Sequence, residues 1–479
     1  MVQILVFIHG NIRMCFEGYF PAKRLKGTER LDSFVGEPSG KWLLVGIWVS
    51  LASALTPLSA HALELRHIVE AAVANHPIMQ GQRALRDGAQ IDVKTAQQQF
   101  LPTPSIGIET LSAGSQDSTY RGNATVQTYR LQQPLWTGGR LTAGLRKAEA
   151  QSEASKHAQD DAAQQLALRS VQAWSEWYAA TLKQTALNSS VATHQSLFER
   201  VQRRVQDGAS AAVELELTEG RLAQTLSQRE GAVAQRDAAR LKIAQLMGRS
   251  LAADEEPTPS KVFALPEMAQ LEASALQRSP MLQKQGAQLQ AQQAELQEKK
   301  AELYPEVYLR AEHLRGNYEN PIMASSAYNR VYIGLSSRFG AGFSNITASE
   351  AMQRKLDAAQ SEIDNNRRNI SEQVQSDWQQ WRSLSVRLPA LERSLLATRK
   401  TAEAWDRQFM AGRKSWLEVM NTARELAQAE LEWAEAQAAW FNVFWRLAIF
   451  NAGWENAIHT STSTAPEPSP QTAPGLKQP

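Results

Sequence analysis

Two hydrophobic periodicities alternate along this 479-residue chain. Residues 64–100 carry a Gln/Ala-rich helical pattern with Pro77 interrupting its early turns, and Pro102 and Pro104 end it. The period then drops to two. Ile106, Ile108 and Thr110 alternate with Ser105, Gly107 and Glu109, which predicts a strand. Residues 113–118 are loop in composition, and a second strand of weaker alternation is expected from Thr125 to Leu135. The helical period returns at Leu141 and holds to Gln206 with no proline and one glycine, Gly144. At a rise of 1.5 Å per residue that stretch reaches about 100 Å. Gly208 breaks it, and a return helix is expected from about Ala211 to Met247.

The layout is then written a second time. Pro77 and Pro102 recur as Pro280 and Pro305, and Gln80, Gln82 and Gln90 as Gln283, Gln285 and Gln293. Trp174 and Trp177 recur as Trp378 and Trp381, and Gly208 and Glu214 as Gly412 and Glu418. The offset holds at 203 to 204 positions (280 − 77; 412 − 208). Strand alternation is clearer in this copy: Val307, Leu309 and Ala311 against Tyr308, Arg310 and Glu312, then Val331, Ile333 and Leu335 against Tyr332, Gly334 and Ser336. A helix from about Ser344, kinked at Pro389, a break at Gly412 and a return to Phe450 complete the copy. The expected organisation is a leader (1–62), a first repeat (63–253, hairpin 103–135, helices 141–247), a linker (254–266), a second repeat (267–455, hairpin 305–339, helices 344–450) and a disordered tail (456–479). Such a duplication points to pseudo-symmetric assembly.

The leader changes the compartment. Lys41 precedes an apolar run from Trp42 to Leu55, too short to span a bilayer comfortably, and Leu58-Ser59-Ala60-His61-Ala62 has the small residues of a cleavage site. Cys15, the one cysteine, lies within it, so the exported chain is expected to have no disulfide and no cysteine to carry a lipid. Residues 1–62 hold six Lys/Arg and four Asp/Glu, which leaves 51 − 6 = 45 basic and 49 − 4 = 45 acidic side chains beyond them. That neutral balance gives no support for nucleic-acid binding. With 43% hydrophobic residues, few aromatics and much Ala, Gln, Leu, Glu and Arg, the composition suits long helices. No later segment is apolar enough for a transmembrane helix, so a membrane is reached through strands or not at all.

Each hairpin has strands of the length that crosses a bilayer when tilted. Four strands do not close a barrel, and an open edge in lipid costs several kcal/mol per unpaired group, so about eight strands or more, and hence more than one chain, are required. Trp136 and Phe339, at corresponding strand ends, suit a membrane–water boundary, with core packing as the plain alternative.

The segment Gln132-Gln133-Pro134-Leu135-Trp136-Thr137-Gly138-Gly139-Arg140 resembles the strand-to-helix junction of the TolC family of outer-membrane efflux proteins. The paired prolines, the duplicated layout and Gly412-Arg413-Lys414-Ser415-Trp416-Leu417-Glu418-Val419 are similar to that family too, over about residues 63–455. The resemblance implies a mainly α fold with a membrane β-barrel. A long α-helical barrel would be continuous with a 12-stranded β-barrel in a homotrimer, four strands per chain. It also supplies the number three and the partners: outer-membrane lipid, a periplasmic adaptor, and an inner-membrane ABC or other efflux transporter. The turns at Gly208 and Gly412 would then form a periplasmic tip that closes and opens. Glu214 matches a carboxylate that ties the first tip to a basic residue of the second, here Lys414 with Arg413 beside it. Glu418 matches the first of two acidic ring positions at the narrowest point, and Asn421 departs from the second. Trp416 is either a packing residue or an adaptor-docking anchor. The Gly412–Glu418 string looks more like the branch serving type I secretion than the drug-pump branches.

The eight histidines are scattered, and there is neither a nucleophile elbow nor a phosphate loop, so no cofactor and no enzyme activity are expected. Two other readings use the same helices: a periplasmic coiled-coil scaffold without a pore, and the adaptor itself. Neither needs two membrane-length hairpins.

Overall fold

The computed structural model describes residues 62–112, 125–316, 327–337 and 340–460. The leader, the expected loop at 113–118, Phe339 and the tail beyond 460 lie outside these residues.

The first repeat begins with β1 (Ala62–Glu64) and α1 (Leu65–Asn75). Then comes α2 (Pro77–Gln98). The single helix expected over 64–100 is thus two helices, because Pro77 has no N–H to continue α1 and starts a new helix at its first position. His76 caps that start, its Nδ1 accepting from the Ile78 amide at 3.2 Å. The hairpin β2 (Thr103–Thr110) and β3 (Thr125–Trp136) follows. It leads into α3 (Arg140–Gln206) and the return helix α4 (Ala212–Met247).

The short β4 (Glu256–Thr258) stands between the repeats. The second repeat runs α5 (Met268–Arg278), α6 (Pro280–Ala301), β5 (Glu306–Arg315) and β6 (Ala327–Ser336). It continues through α7 (Ser344–Met410) and α8 (Trp416–Ala452) to α9 (Trp454–Thr460). Ser279 caps α6 as His76 caps α2, its hydroxyl accepting from the Leu282 amide at 3.3 Å, again ahead of a proline. Both long helices, α3 and α7, are 67 residues. Pro389 lies inside α7 without ending it.

Within the linker, β4 pairs in parallel with β1, Ala62 opposite Glu256 and Glu64 opposite Thr258. Glu255 is buried beside this ribbon, takes two bonds from the Arg249 guanidinium (2.7 and 3.2 Å) and accepts the Ala252 amide at 2.8 Å. Hydrogen bonding from Arg249 holds its carboxyl below the usual range against the cost of burial. The tail expected to be disordered from 456 is helical as far as Thr460. Trp454, Ala457 and Ile458 share one face of α9 at three- and four-residue spacing, and that face joins the core.

The main core lies where α1, α9 and the ends of α4 and α8 meet the middle of α3. Trp174, Trp177, Phe444 and Trp445 are fully buried there, with Trp174 stacked on Tyr178 at 5.2 Å and edge-on to Phe441 at 5.9 Å. The helix α3 packs against α2, α4, α6 and α8, whereas α7, of equal length, buries far fewer side chains. Its partners within the chain cover one side only. Among the described residues no helix is long and apolar enough to cross a membrane.

Candidate functional site: a two-faced sheet and a helical tip

The two hairpins lie side by side in one antiparallel sheet of order β2-β3-β5-β6. Its register sorts the side chains by chemistry. Ile106 faces Tyr129, Leu131 faces Ala311, and Ala311 faces Val331; Leu309 faces Ile333, and Val307 faces Leu335. All of these share one face, and Val331, Ile333 and Leu335 are 70–77% exposed. The opposite face carries Ser105, Arg130, Glu312 and Arg330 in one row, and Gln132, Arg310 and Tyr332 in the next. Arg130 pairs with Glu312 at 2.7 Å. The outer edges of β2 and β6 have no strand partner among the described residues. An exposed apolar face backed by a hydrogen-bonded polar one is the two-sided pattern of a lipid-facing, water-lined strand set.

Aromatic side chains bracket the apolar face. Tyr129 lies against His313, ring centroids 5.9 Å apart, and His313 Nδ1 meets Asn329 Oδ1 at 2.7 Å. At the other end Trp136 is half-exposed and edge-on to Tyr304 at 6.5 Å. The stretch from Tyr129 to Trp136 rises about 23 Å along the strand, close to the ~25 Å apolar band of outer-membrane barrels before tilt.

Immediately beyond Trp136 the strand becomes a helix through Gly138 (φ +62°) and Gly139 (φ +90°), the latter capping α3. Gly138 lies so close to Tyr304 and the Ala301 carbonyl that no side chain fits. Arg140 bonds Glu306 at 2.8 Å and ties the start of α3 to the start of β5. In the second repeat Gly340 (φ +71°) and Gly342 (φ +61°) make the corresponding turn.

At the far end of the helices both turns have one geometry. The Ala209 amide donates to the Arg204 carbonyl at 2.7 Å and Gly208 to Val205 at 3.1 Å. Arg413 donates to Gln408 at 2.9 Å and Gly412 to Phe409 at 2.9 Å. Both glycines have left-handed φ, near +70°, as a Schellman ending requires.

Within the single chain Lys414 Nζ bonds Glu418 Oε1 at 2.7 Å and stands 4.3 Å from the centroid of Trp405, and no bond joins it to Glu214. Among the described residues Glu214 makes no ion pair. Ser415 and Glu418 form a capping box at the start of α8: the Ser415 amide and hydroxyl donate to Glu418 Oε2 at 3.0 and 2.9 Å, and the Glu418 amide donates to Ser415 Oγ at 3.4 Å. The Lys414 bond, then those from Ser415, hold the Glu418 carboxyl down at about 2. The S-x-x-E spacing was visible in the sequence and would have found this cap.

Trp416 is half-buried against a small cluster of Leu197, Phe409, Val419 and Met420. Arg413 and Asn421 are exposed. Asn421, Trp416 and Leu417 line a cleft of about 190 Å³ with Leu217 and Arg221 of α4. The contact between the two tips falls elsewhere, on Arg200 and Asp406 at 2.8 Å, with Arg204 over the Phe409 ring at 5.6 Å. Neither carried a sequence signal.

A sheet with one lipid-compatible face, continued by helices of about 100 Å, defines the outer-membrane channel-tunnel class of protein. The chain belongs to the outer membrane efflux protein family, whose model matches residues 68–249 and 271–448, one span in each repeat. No curated protein matches the chain significantly. Solved structures do. The outer-membrane channel OprN is 19% identical and superimposes with a TM-score of 0.71, covering 82% of this chain and 90% of OprN. VceC from Vibrio cholerae is 14% identical with a TM-score of 0.70, over 81% of this chain and 96% of VceC. The CmeC channel of Campylobacter jejuni is 13% identical with a TM-score of 0.67, over 83% and 89%. These likenesses establish the fold.

Proposed function

We propose that three copies of this chain close a 12-stranded barrel in the outer membrane, continued by a helical tunnel into the periplasm, and that the assembly is a passive exit duct. The observation that carries the reading is the two-faced open sheet. Among the described residues nothing covers its apolar face and its two edges have no strand partner, and such edges cost several kcal/mol per unpaired group in lipid. Pairing β6 of one chain with β2 of the next removes both costs, and the sparsely buried side of α7 gains neighbours in that arrangement. The number three is what the resemblance to the TolC family implies. A pore-free scaffold or an adaptor has no use for such a sheet.

The tip is the gate in this reading. An adaptor and an inner-membrane transporter supply the opening and the energy. Three Glu418 carboxylates would ring the axis, each offset by its own Lys414, so cation trapping there is weak. The Gly412–Glu418 string supports a type I secretion cargo over a drug. The first experiment is the protein mass of the complex extracted from outer membranes, corrected for detergent. Three chains per particle are expected. A monomer, a dimer, or absence from that membrane would refute barrel closure.

A further inference from the structure

The polar face of the sheet is not balanced in charge. In its two central rows stand Arg130, Arg310 and Arg330 against one carboxylate, Glu312. Arg130 is matched by Glu312 at 2.7 Å, and Arg310 reaches the same carboxylate only at 3.7 Å. Among the described residues Arg330 makes no ion pair; its partners are the Tyr332 hydroxyl at 3.4 Å and the Tyr328 ring at 4.6 Å. Arg310 is fixed by Gln132 Oε1 at 3.0 and 3.2 Å and by the Tyr308 ring at 4.7 Å. These guanidiniums are held in place by neutral groups, which orient them without cancelling their charge.

Nothing in the adjoining rows compensates. Outward lie Thr128, Leu314 and Tyr328; toward the helices lie Pro134, Tyr308 and Gly334. On β2, which would border the next chain, Thr103, Ser105 and Gly107 are uncharged on this face, and the acid Glu109 stands nearer the outer end. Glu306, at the helical end, is taken by Arg140.

We propose that this layer is an anion-selecting girdle that favours solutes bearing carboxylate, phosphate or sulfate groups. The inference rests on the trimeric duct, which would gather three arginines and one glutamate from each chain around one water-filled ring. A ring of one sign inside low-dielectric walls concentrates counter-ions about tenfold or more, and guanidinium planes suit oxyanions.

The test does not depend on opening the tip. In a Cys15→Ser background, Thr128→Cys places a thiol on the polar face one row outward of the arginines, and Ile333→Cys places one on the apolar face. Whole cells are treated with an anionic sulfonate and a cationic trimethylammonium methanethiosulfonate, and each rate is divided by the rate with a free thiol. At Thr128→Cys the anionic reagent should be favoured by about threefold or more. That preference should fall to near one when Arg310→Gln and Arg330→Gln are added. A ratio at or below one, or one the arginine changes leave untouched, would overturn the girdle while the duct stands. A reactive Ile333→Cys, or a Thr128→Cys that reacts with neither reagent, would overturn the duct itself and the girdle with it.

Discussion

Replacing Gly138 with alanine tests whether the strand-to-helix junction is built as described. Two separate costs arise. The left-handed backbone at φ +62° costs a side-chain-bearing residue about 1–2 kcal/mol. The added Cβ would lie 2.6 Å from Tyr304 Cβ and 3.2 Å from the Ala301 carbonyl oxygen, and neither atom is the free end of a flexible side chain. Overpacking of that kind costs about 1–3 kcal/mol, so Gly138→Ala should destabilise each chain by about 2–5 kcal/mol. Gly139→Ala is the control, because its φ of +90° brings the strain but nothing lies within 4 Å of its Cβ. It should cost about 1–2 kcal/mol. The assay is the temperature at which the detergent-extracted complex dissociates on a semi-native gel, together with its level in outer membranes. Tyr304→Ala should give Gly138→Ala little relief, since the closest approach is to Cβ at 2.6 Å and only Cγ at 3.3 Å is removed, whereas Tyr304→Gly should recover more of it. Equal loss from the two glycine changes, or rescue by Tyr304→Ala, would refute the close approach at Gly138.

Two further predictions concern charges in the helices. Asp377 is buried, and Arg446 Nη2 is 3.1 Å away; burial pushes the Asp377 carboxyl up, and Arg446 and Gln373 oppose this. Arg446→Met should therefore cost about 3–5 kcal/mol by stranding a buried carboxylate, and Asp377→Asn clearly less. An acid raised in the folded state loses stability as pH rises through that window, so chemical denaturation should find the Arg446→Met deficit smaller at pH 5 than at pH 7. Glu418 is the opposite case. With its carboxyl at about 2 against an ordinary 4.5, its stabilisation is complete above 4.5 and is lost as pH falls toward 2. Hydrogen exchange corrected for intrinsic rates should find the first turn of α8 somewhat less protected at pH 4 than at pH 6 and clearly less at pH 3, and Ser415→Ala should weaken it by about 1 kcal/mol. Equal protection in Ser415→Ala and wild type would show that the capping box is not what holds that turn.

What was legible in the sequence follows the range of the interactions. Alternation along β5 and β6 and glycines at the turns are local signals, and the elements stand where they point; Pro77, read as an interruption of one helix, instead starts a second. The constant offset of the repeats made α3 and α7 legible as equivalents. Three-residue strands such as β1 and β4 are too short for a periodicity and exist only through each other. At the tip, likeness to a family pattern tied Lys414 to Glu214, whereas within one chain Lys414 meets Glu418, the acid of the adjoining capping box, a local pairing that the S-x-x-E spacing encodes. The Arg200–Asp406 pair depends on how α3 and α7 are placed side by side, which no spacing within either helix encodes.

The ribbon of β1 and β4 also sets an order of events. Ala62 pairs with Glu256, so β1 has no partner strand until the whole first repeat has been made and delivered. Loop-closure entropy grows only logarithmically with the length of chain enclosed, so the wait adds little to the equilibrium cost of closing the ribbon. Its consequence is kinetic: the strand that carries Leu63 lacks its pairing partner while α3 and α4 are made, and β4, between the repeats, supplies it. A chain truncated before Glu256 would leave that end dangling, marked for the proteases of the compartment through which it travels.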